Sequence, residues 1–230
     1  MTKGNVNVVL AHGAWADGSS WNEVITPLQR QGISVIAAPL PLTSLSDDVA
    51  ALDRAIARTQ GPVVLTAHAY AGAVISAAKS AQIEALAYIA ALMPDEGETV
   101  ADVFYREAPH ADAPQLVPDA DGFIWMPDSG FKSAFAQHAT AQRLALLAAT
   151  QRPINVACIH EKAPKPLWRS RPSWFLIAEE DRMINPKTEH FMAERMAAKV
   201  RSEIVDHTPL VTAPRKVVDT ILDAVRSVRG

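Results

Sequence analysis

The chain has 230 residues, enough for one domain or one domain carrying an insertion at roughly 150 residues per domain. Its 22 lysines and arginines against 25 aspartates and glutamates leave a net charge of -3, with no basic surface for nucleic acid, and 49% apolar with 20% charged residues is the composition of a folded globular chain. Cys158 alone cannot form an internal disulfide, the start of the chain has no apolar secretion signal, and no run approaches the roughly 18 apolar residues of a membrane span, so the expected setting is the cytoplasm without a membrane partner.

Residues 6–11 form a short, nearly continuous apolar run, as expected for a parallel strand buried on both faces. An amphipathic stretch at 20–30, a second apolar run at 33–37 and a helical stretch at 47–58, with Ser46 as its start signal, come next. Residues 63–67 are the third strand and 71–80 the helix after it; 85–91 is the fourth strand. Beyond residue 171 the alternation resumes with strands at 174–178 and, more weakly, 202–205, and with helices opened by Pro186 and Pro214 at 186–198 and 214–226. Over these stretches strand and helix alternate, which predicts an α/β fold with a mostly parallel, doubly wound sheet of about six strands.

Between 95 and 171 the alternation breaks. This stretch holds seven of the 16 prolines and seven of the 14 aromatic residues, and it reads as a cap, residues 95–170, inserted after the fourth strand into a core made of 1–94 and 171–230. Within it, 97–107 and 133–150 are expected to be helical, and 109–127, with four prolines, to be a loop.

The chemistry is concentrated where strands end. After the third strand the sequence Ala67-His68-Ala69-Tyr70-Ala71-Gly72 has the small flanking residues of a strand-to-helix elbow, but the G-x-S-x-G pattern of a nucleophile elbow has become A-x-A-x-A. His12-Gly13-Ala14-Trp15 follows the first strand, where an oxyanion-binding turn belongs, and its Ala14 amide can pair with that of Tyr70. Asp181 follows one buried strand and His207 the last, so positions 69, 181 and 207 run in the order nucleophile, acid, base.

In these features the chain resembles the α/β-hydrolase superfamily, in particular its small cofactor-free carboxylesterases, methyl esterases and hydroxynitrile lyases. The resemblance is carried by Val9-Leu10-Ala11-His12-Gly13-Ala14-Trp15 with Trp21 six residues on, by the elbow, by Asp181-Arg182-Met183-Ile184-Asn185-Pro186, and by His207 with Pro209 and Pro214. It implies an α/β-hydrolase fold, Ala69 at the nucleophile position, His207 as general base, Asp181 as the residue that orients it, and the Ala14 and Tyr70 amides as the oxyanion hole. Asp181 is preferred to Asp95 as the acid because a two-residue turn after the strand is the usual spacing in that family. The implied parent activity is hydrolysis of a carboxylic ester through an acyl-enzyme, with no cofactor.

Ala69 has no hydroxyl to attack with, and losing the nucleophile costs on the order of 10⁶ in turnover in a well-studied hydrolase of this logic. Three explanations are weighed: an engineered Ser-to-Ala change, which is favoured because the rest of the apparatus is intact; a natural ligand-binding homologue without catalysis; and an enzyme using His207 and Asp181 as a base for proton abstraction, as a lyase or cofactor-free oxygenase.

His12 and His68 are read as structural, and His110, His138, His160 and His190 lack metal-ligand spacing, so no metal is expected. Cys158 is read as a small buried hydrophobe. Caps of this family roof the pocket; Trp125 is placed first among substrate contacts, followed by Phe123, Phe131, Phe135 and Trp168, while Trp15 walls the pocket from below. No lysine or arginine marks an anion site, so the expected partner is a small, uncharged, fairly hydrophobic ester, bound by a monomer or homodimer.

Overall fold

The computed structural model describes residues 6–229. Six parallel strands, β1 (Asn7–Ala11), β2 (Ser34–Ala38), β3 (Val63–Ala69), β4 (Ile83–Ala91), β7 (Ser173–Ala178) and β8 (Lys199–Glu203), form one sheet in the order β2-β1-β3-β4-β7-β8; β5 (Phe123–Ile124) and β6 (Ile154–Asn155) form a separate antiparallel pair between β4 and β7.

Both faces of the sheet are covered, and the two-residue period of a strand sorts the side chains between them. Val9 and Ala11 of β1, Leu65 and Ala67 of β3, and Phe175 and Ile177 of β7 enter one core; Val8 and Leu10, Val64, and Trp174 and Leu176 enter the other. The first core is closed by α2 (Leu45–Ile56), α3 (Ala71–Ser76) and α7 (Pro186–Arg195), the second by α1 (Asn22–Gln29) and α8 (Pro214–Arg229). This is the doubly wound arrangement that alternating strands and helices require.

The element boundaries differ from the sequence expectation for local reasons. α2 is capped by the Ser44 side chain, which accepts from the Asp47 amide, rather than by Ser46. The third helix stops at Ser76, four residues short of expectation, and α7 stops at Arg195 rather than at 198. The last strand begins at Lys199, earlier than its apolar residues suggested, because an edge strand with one exposed face needs few of them.

Residues 92–172 connect β4 to β7 and are less helical than expected. The 97–107 stretch contains only α4 (Val100–Phe104), capped by Thr99 in a reciprocal pair with Asp102. The expected 133–150 helix is divided into a wide turn at Phe131–Phe135 and α5 (Ala141–Thr150), because Thr140 caps a new helix start. The proline-rich loop contributes β5, which pairs with β6 just before α6 (Val156–His160). Ile124, Phe131, Phe135, Leu147 and Cys158 pack into the same core as the sheet face beneath them.

The strand order decides where a site can form. From β1 the chain moves outward to β2 and then returns to β3 on the other side of β1, so the turns following β1 and β3 diverge. A crevice opens at the carboxyl ends of strands at such a switch point.

Candidate active site

β3 ends in a tight elbow. Ala69 adopts a φ of +51°, a left-handed conformation that costs an alanine on the order of 1–2 kcal/mol, and α3 starts two residues later. Tertiary contacts hold it there. The Leu92 amide donates to the Ala69 carbonyl at 3.0 Å, and the sheet register slips beside the elbow so that Ala69 pairs with Ala91. Two glycines allow the close approach: a Cβ on Gly72 would lie 2.5 Å from the Leu92 carbonyl oxygen, and one on Gly13 would lie 2.9 Å from the Ala69 Cβ.

The turn after β1 and the start of α3 present the two expected amides. Among the turn and loop backbone hydrogen bonds of the described residues, the Trp15 amide is taken up by the Arg152 carbonyl at 3.0 Å, whereas the Ala14 and Tyr70 amides take no acceptor. The Trp15 indole donates to the Ile124 carbonyl at 2.9 Å, which fastens this turn to β5.

His207 and Asp181 come together from the loops after β8 and β7. His207 Nδ1 lies 2.6 Å from Asp181 Oδ2, and both residues are about 2% exposed. Asp181 Oδ1 accepts from the Met183 and Ile184 amides, each at 2.7 Å, so one carboxylate oxygen is reserved for the imidazole. Behind it stands Glu189, fully buried. Its Oε2 accepts from the Ala178 amide at 3.1 Å, and burial, followed by the neighbouring Asp181, pushes its carboxyl well above the usual range. Nothing in the residue pattern of α7 singled out Glu189.

The remaining loop contacts steady the His207 loop. Thr208 Oγ1 donates to the Phe135 carbonyl at 2.5 Å, the His138 amide to Asp206 Oδ2 at 3.0 Å, and the Gln137 side chain to the Glu180 carbonyl at 2.7 Å, so residues 135–138 grip the loops that carry His207 and Asp181. His68 Nε2 donates to the His207 carbonyl at 2.7 Å, tying the elbow strand to the His207 loop. His12 accepts the Leu40 amide on Nε2 at 3.2 Å and donates from Nδ1 to the Gly13 carbonyl at 3.0 Å. Burial lowers the pKa of both histidines, so they are neutral braces.

Asp95 is occupied elsewhere: Arg169 binds both of its oxygens, at 3.0 and 2.8 Å, and holds its carboxyl below the usual range. Glu179 is engaged by His190 and Ser202.

Ala69, Tyr70, Ala14 and His207 all line one cavity of about 90 Å³. Its remaining wall is apolar: Trp15, Leu92, Val100, Ala101, Phe104, Tyr105, Leu116, Ile124, Ile154, Ile159, Met183 and Ile184. Of the six aromatic residues expected to touch substrate, Trp15 alone lies in this wall. Trp125 is 52% exposed, because its neighbour Ile124 takes the inward position of the short β5 strand. Phe123 is half-buried outside the wall. Phe135 packs behind the imidazole, its ring centroid 5.4 Å from those of His207 and Phe131, and Trp168 is buried against Arg195. The aliphatic side chains that do form the wall carry no signal separating them from ordinary core residues. Only Met183 and Ile184, adjacent to Asp181, can be placed from the sequence.

Among the described residues, no group of three or more His, Cys, Asp or Glu side chains could hold a metal ion, and no helix is long and apolar enough to cross a membrane.

Residues 8–220 match a family model described as the alpha/beta hydrolase family. No curated protein matches the chain in sequence. Among solved structures, polyneuridine aldehyde esterase superposes with a TM-score of 0.84 at 18% identity over 95% of this chain and 98% of that one. A pyrethroid hydrolase gives 0.81 at 17% identity over 96% and 98%, and a variant of tomato methylketone synthase I complexed with β-ketoheptanoate gives 0.82 at 16% identity over 97% and 99%.

Proposed function

The chain belongs to the alpha/beta hydrolase family, and from that premise we propose that its cavity receives a small, uncharged, apolar carboxylic ester whose carbonyl oxygen turns toward the Ala14 and Tyr70 amides. The observation that carries this reading is the His207–Asp181 pair, 2.6 Å apart, opening onto the same cavity as the strained elbow at Ala69. In the hydrolytic form a serine at position 69 attacks the carbonyl carbon, His207 takes the hydroxyl proton and returns it to the leaving alkoxide, and Asp181 holds the imidazole in the tautomer that keeps Nε2 free. Water then repeats the sequence on the acyl-enzyme. Ala69 is read as a silenced serine position, and an engineered Ser-to-Ala change accounts for it while leaving the surrounding apparatus intact. The apolar wall supports an uncharged substrate, since no lysine or arginine lines it. The esterase and the pyrethroid hydrolase that share the fold lend the reading further support.

Making Ala69→Ser and assaying p-nitrophenyl esters tests this reading. A gain in turnover on the order of 10³-fold or more over the parent is expected; no gain would discard it.

A second reading takes the chain as it stands. With a methyl group at position 69, His207 has no serine to serve, and its free nitrogen can instead remove a proton α to a bound carbonyl while the two amides hold the enolate oxygen. The β-ketoheptanoate bound by the tomato relative is a carbonyl compound with such acidic protons. Deuterium exchange into a small ketone, catalysed by the Ala69 protein and lost in His207→Ala, would favour this reading over a silenced esterase.

A further inference from the structure

Tyr70 serves the site through its backbone, but its side chain is fastened away from the reacting centre. The hydroxyl donates to Asp48 Oδ2 at 2.7 Å. Asp48, in the first turns of α2, is fully buried, and its other oxygen accepts from the Leu42 amide at 2.7 Å. The Cys158 thiol approaches Oδ2 at 3.7 Å from α6, and the Leu42 carbonyl accepts from the Asn155 amide of β6 at 2.9 Å. One carboxyl group thus gathers the elbow, the loop after β2 and the helix that follows β6.

We propose that Asp48 is a positioning residue for the reaction: by holding the Tyr70 hydroxyl it orients the Tyr70 peptide and so aims the amide that receives the carbonyl oxygen. This rests on the reading of the cavity as a carbonyl site. Ala69 sits in a conformation that an alanine does not favour by itself, and the peptide that follows it opens a helix of only six residues. Local preference therefore does little to set the direction of the Tyr70 N–H. Two tertiary contacts do so instead, the Leu92 amide on the carbonyl of that peptide and the buried tether at the far end of Tyr70, and loss of a well-aimed oxyanion donor costs about 10²–10³ in turnover.

The titratable groups facing Asp48 are Tyr70 and Cys158 from neighbouring elements and Asp47 from its own helix. Burial raises Tyr70 well above its usual range and Cys158 to about 12, so both remain neutral donors. Asp47 is turned to Ser44 and Thr43, which keep it ionised. Burial lifts Asp48 itself to about 6. Above that pH its carboxylate accepts from its neighbours; below it, a proton competes with the Tyr70 hydroxyl for the same oxygen.

Two measurements decide the matter. In the unaltered Ala69 protein, the Tyr70 amide followed by ¹H–¹⁵N NMR from pH 5 to 8 is expected to titrate with a midpoint near 6, to do so still in His207→Ala, and to lose that titration in Asp48→Asn and Tyr70→Phe. In the Ala69→Ser protein, Asp48→Asn and Tyr70→Phe are each expected to lower kcat on an aryl ester by at least about tenfold with KM within about threefold, and the double variant to lose no more than either alone. Tyr70→Phe leaves the carboxyl in place and so tests the tether even where Asp48→Asn unfolds. An amide indifferent to Asp48, or losses that appear in KM alone, would overturn the proposal. An Ala69→Ser protein without esterase activity would remove the ester reading, and the NMR titration would still judge Asp48.

Discussion

Asp181 and His207 meet at 2.6 Å with both side chains almost wholly withdrawn from solvent, and the second oxygen of the carboxylate is held by the Met183 and Ile184 amides. The carboxylate is therefore fixed before the imidazole reaches it. The His207 ring packs at a tilt against Phe135, 5.4 Å between centroids, and the His207 backbone carbonyl accepts from His68.

Replacing Asp181 by Asn in the Ala69→Ser protein is expected to lower kcat by about 10⁴, because the amide would stabilise the wrong imidazole tautomer. Asp95→Asn should leave turnover within about twofold, since Arg169 already occupies that carboxylate. Steady-state kinetics on one aryl ester compares the two, and a larger loss from Asp95→Asn would reverse the assignment of the acid.

The aliphatic wall predicts a chain-length preference that can be moved. Ile159→Ala removes about three methylene equivalents of bulk from the lining and should shift the best acyl chain to a longer one, by roughly 1–3 kcal/mol of discrimination between neighbouring lengths. Trp125→Ala, at a side chain 52% exposed, should leave the profile unaltered. A series of p-nitrophenyl esters from acetate to octanoate, assayed in the Ala69→Ser background, reads both outcomes, and a profile that moved with Trp125 would restore that residue to the pocket.

Gly72→Ala should destabilise the protein by about 2 kcal/mol or more, because its Cβ would lie 2.5 Å from the backbone oxygen of Leu92, which cannot move without disturbing β4 and the elbow together. At about 2–4 °C per kcal/mol for a chain of this size, the melting temperature should fall by about 4–8 °C. Calorimetry measures it directly; an unchanged melting temperature would mean that the elbow is far more pliant than its packing implies.

Stability should respond to pH through buried groups of opposite sign. His12 and His68 have folded pKa values depressed by burial, so the stability they carry is present above the unfolded value near 6.5 and is lost as pH falls below it. Asp48 is raised from 3.8 to about 6, so its contribution is complete below about pH 4 and is lost as pH rises to about 6. A shift of about two units is worth about 3 kcal/mol. Urea unfolding between pH 4 and 7 should show the parent protein losing stability relative to Asp48→Asn as pH rises; a gap that widened in the parent's favour would refute the raised value.

The residues at strand ends were legible because their chemistry depends on local order. His12-Gly13-Ala14, the elbow at Ala69, Asp181 just past β7 and His207 after β8 each stand where a strand delivers its chain to one edge of a parallel sheet. The pocket wall was not legible. Aromatic size suggested Trp125, but Trp125 follows the two-residue strand whose last residue, Ile124, faces the cavity, and it points outward in turn. The expected helix at 133–150 failed likewise, because Thr140 offers a cap that periodicity alone does not weigh against a continuous turn.

Hydrophobic periodicity and the residues at strand ends, by themselves, determined the alternating α/β architecture, which histidine and which aspartate are delivered to the same edge of the sheet, and the alanine at the elbow, Ala69. Tertiary structure alone decided which apolar side chains close over that position, that Asp95 is taken by Arg169, and that Asp48 and Glu189 are buried beside the apparatus. The reason is one of range. Patterns of two or three and a half residues are written in neighbouring positions, whereas burial and the pairing of distant charges arise only when segments far apart along the chain are brought into contact.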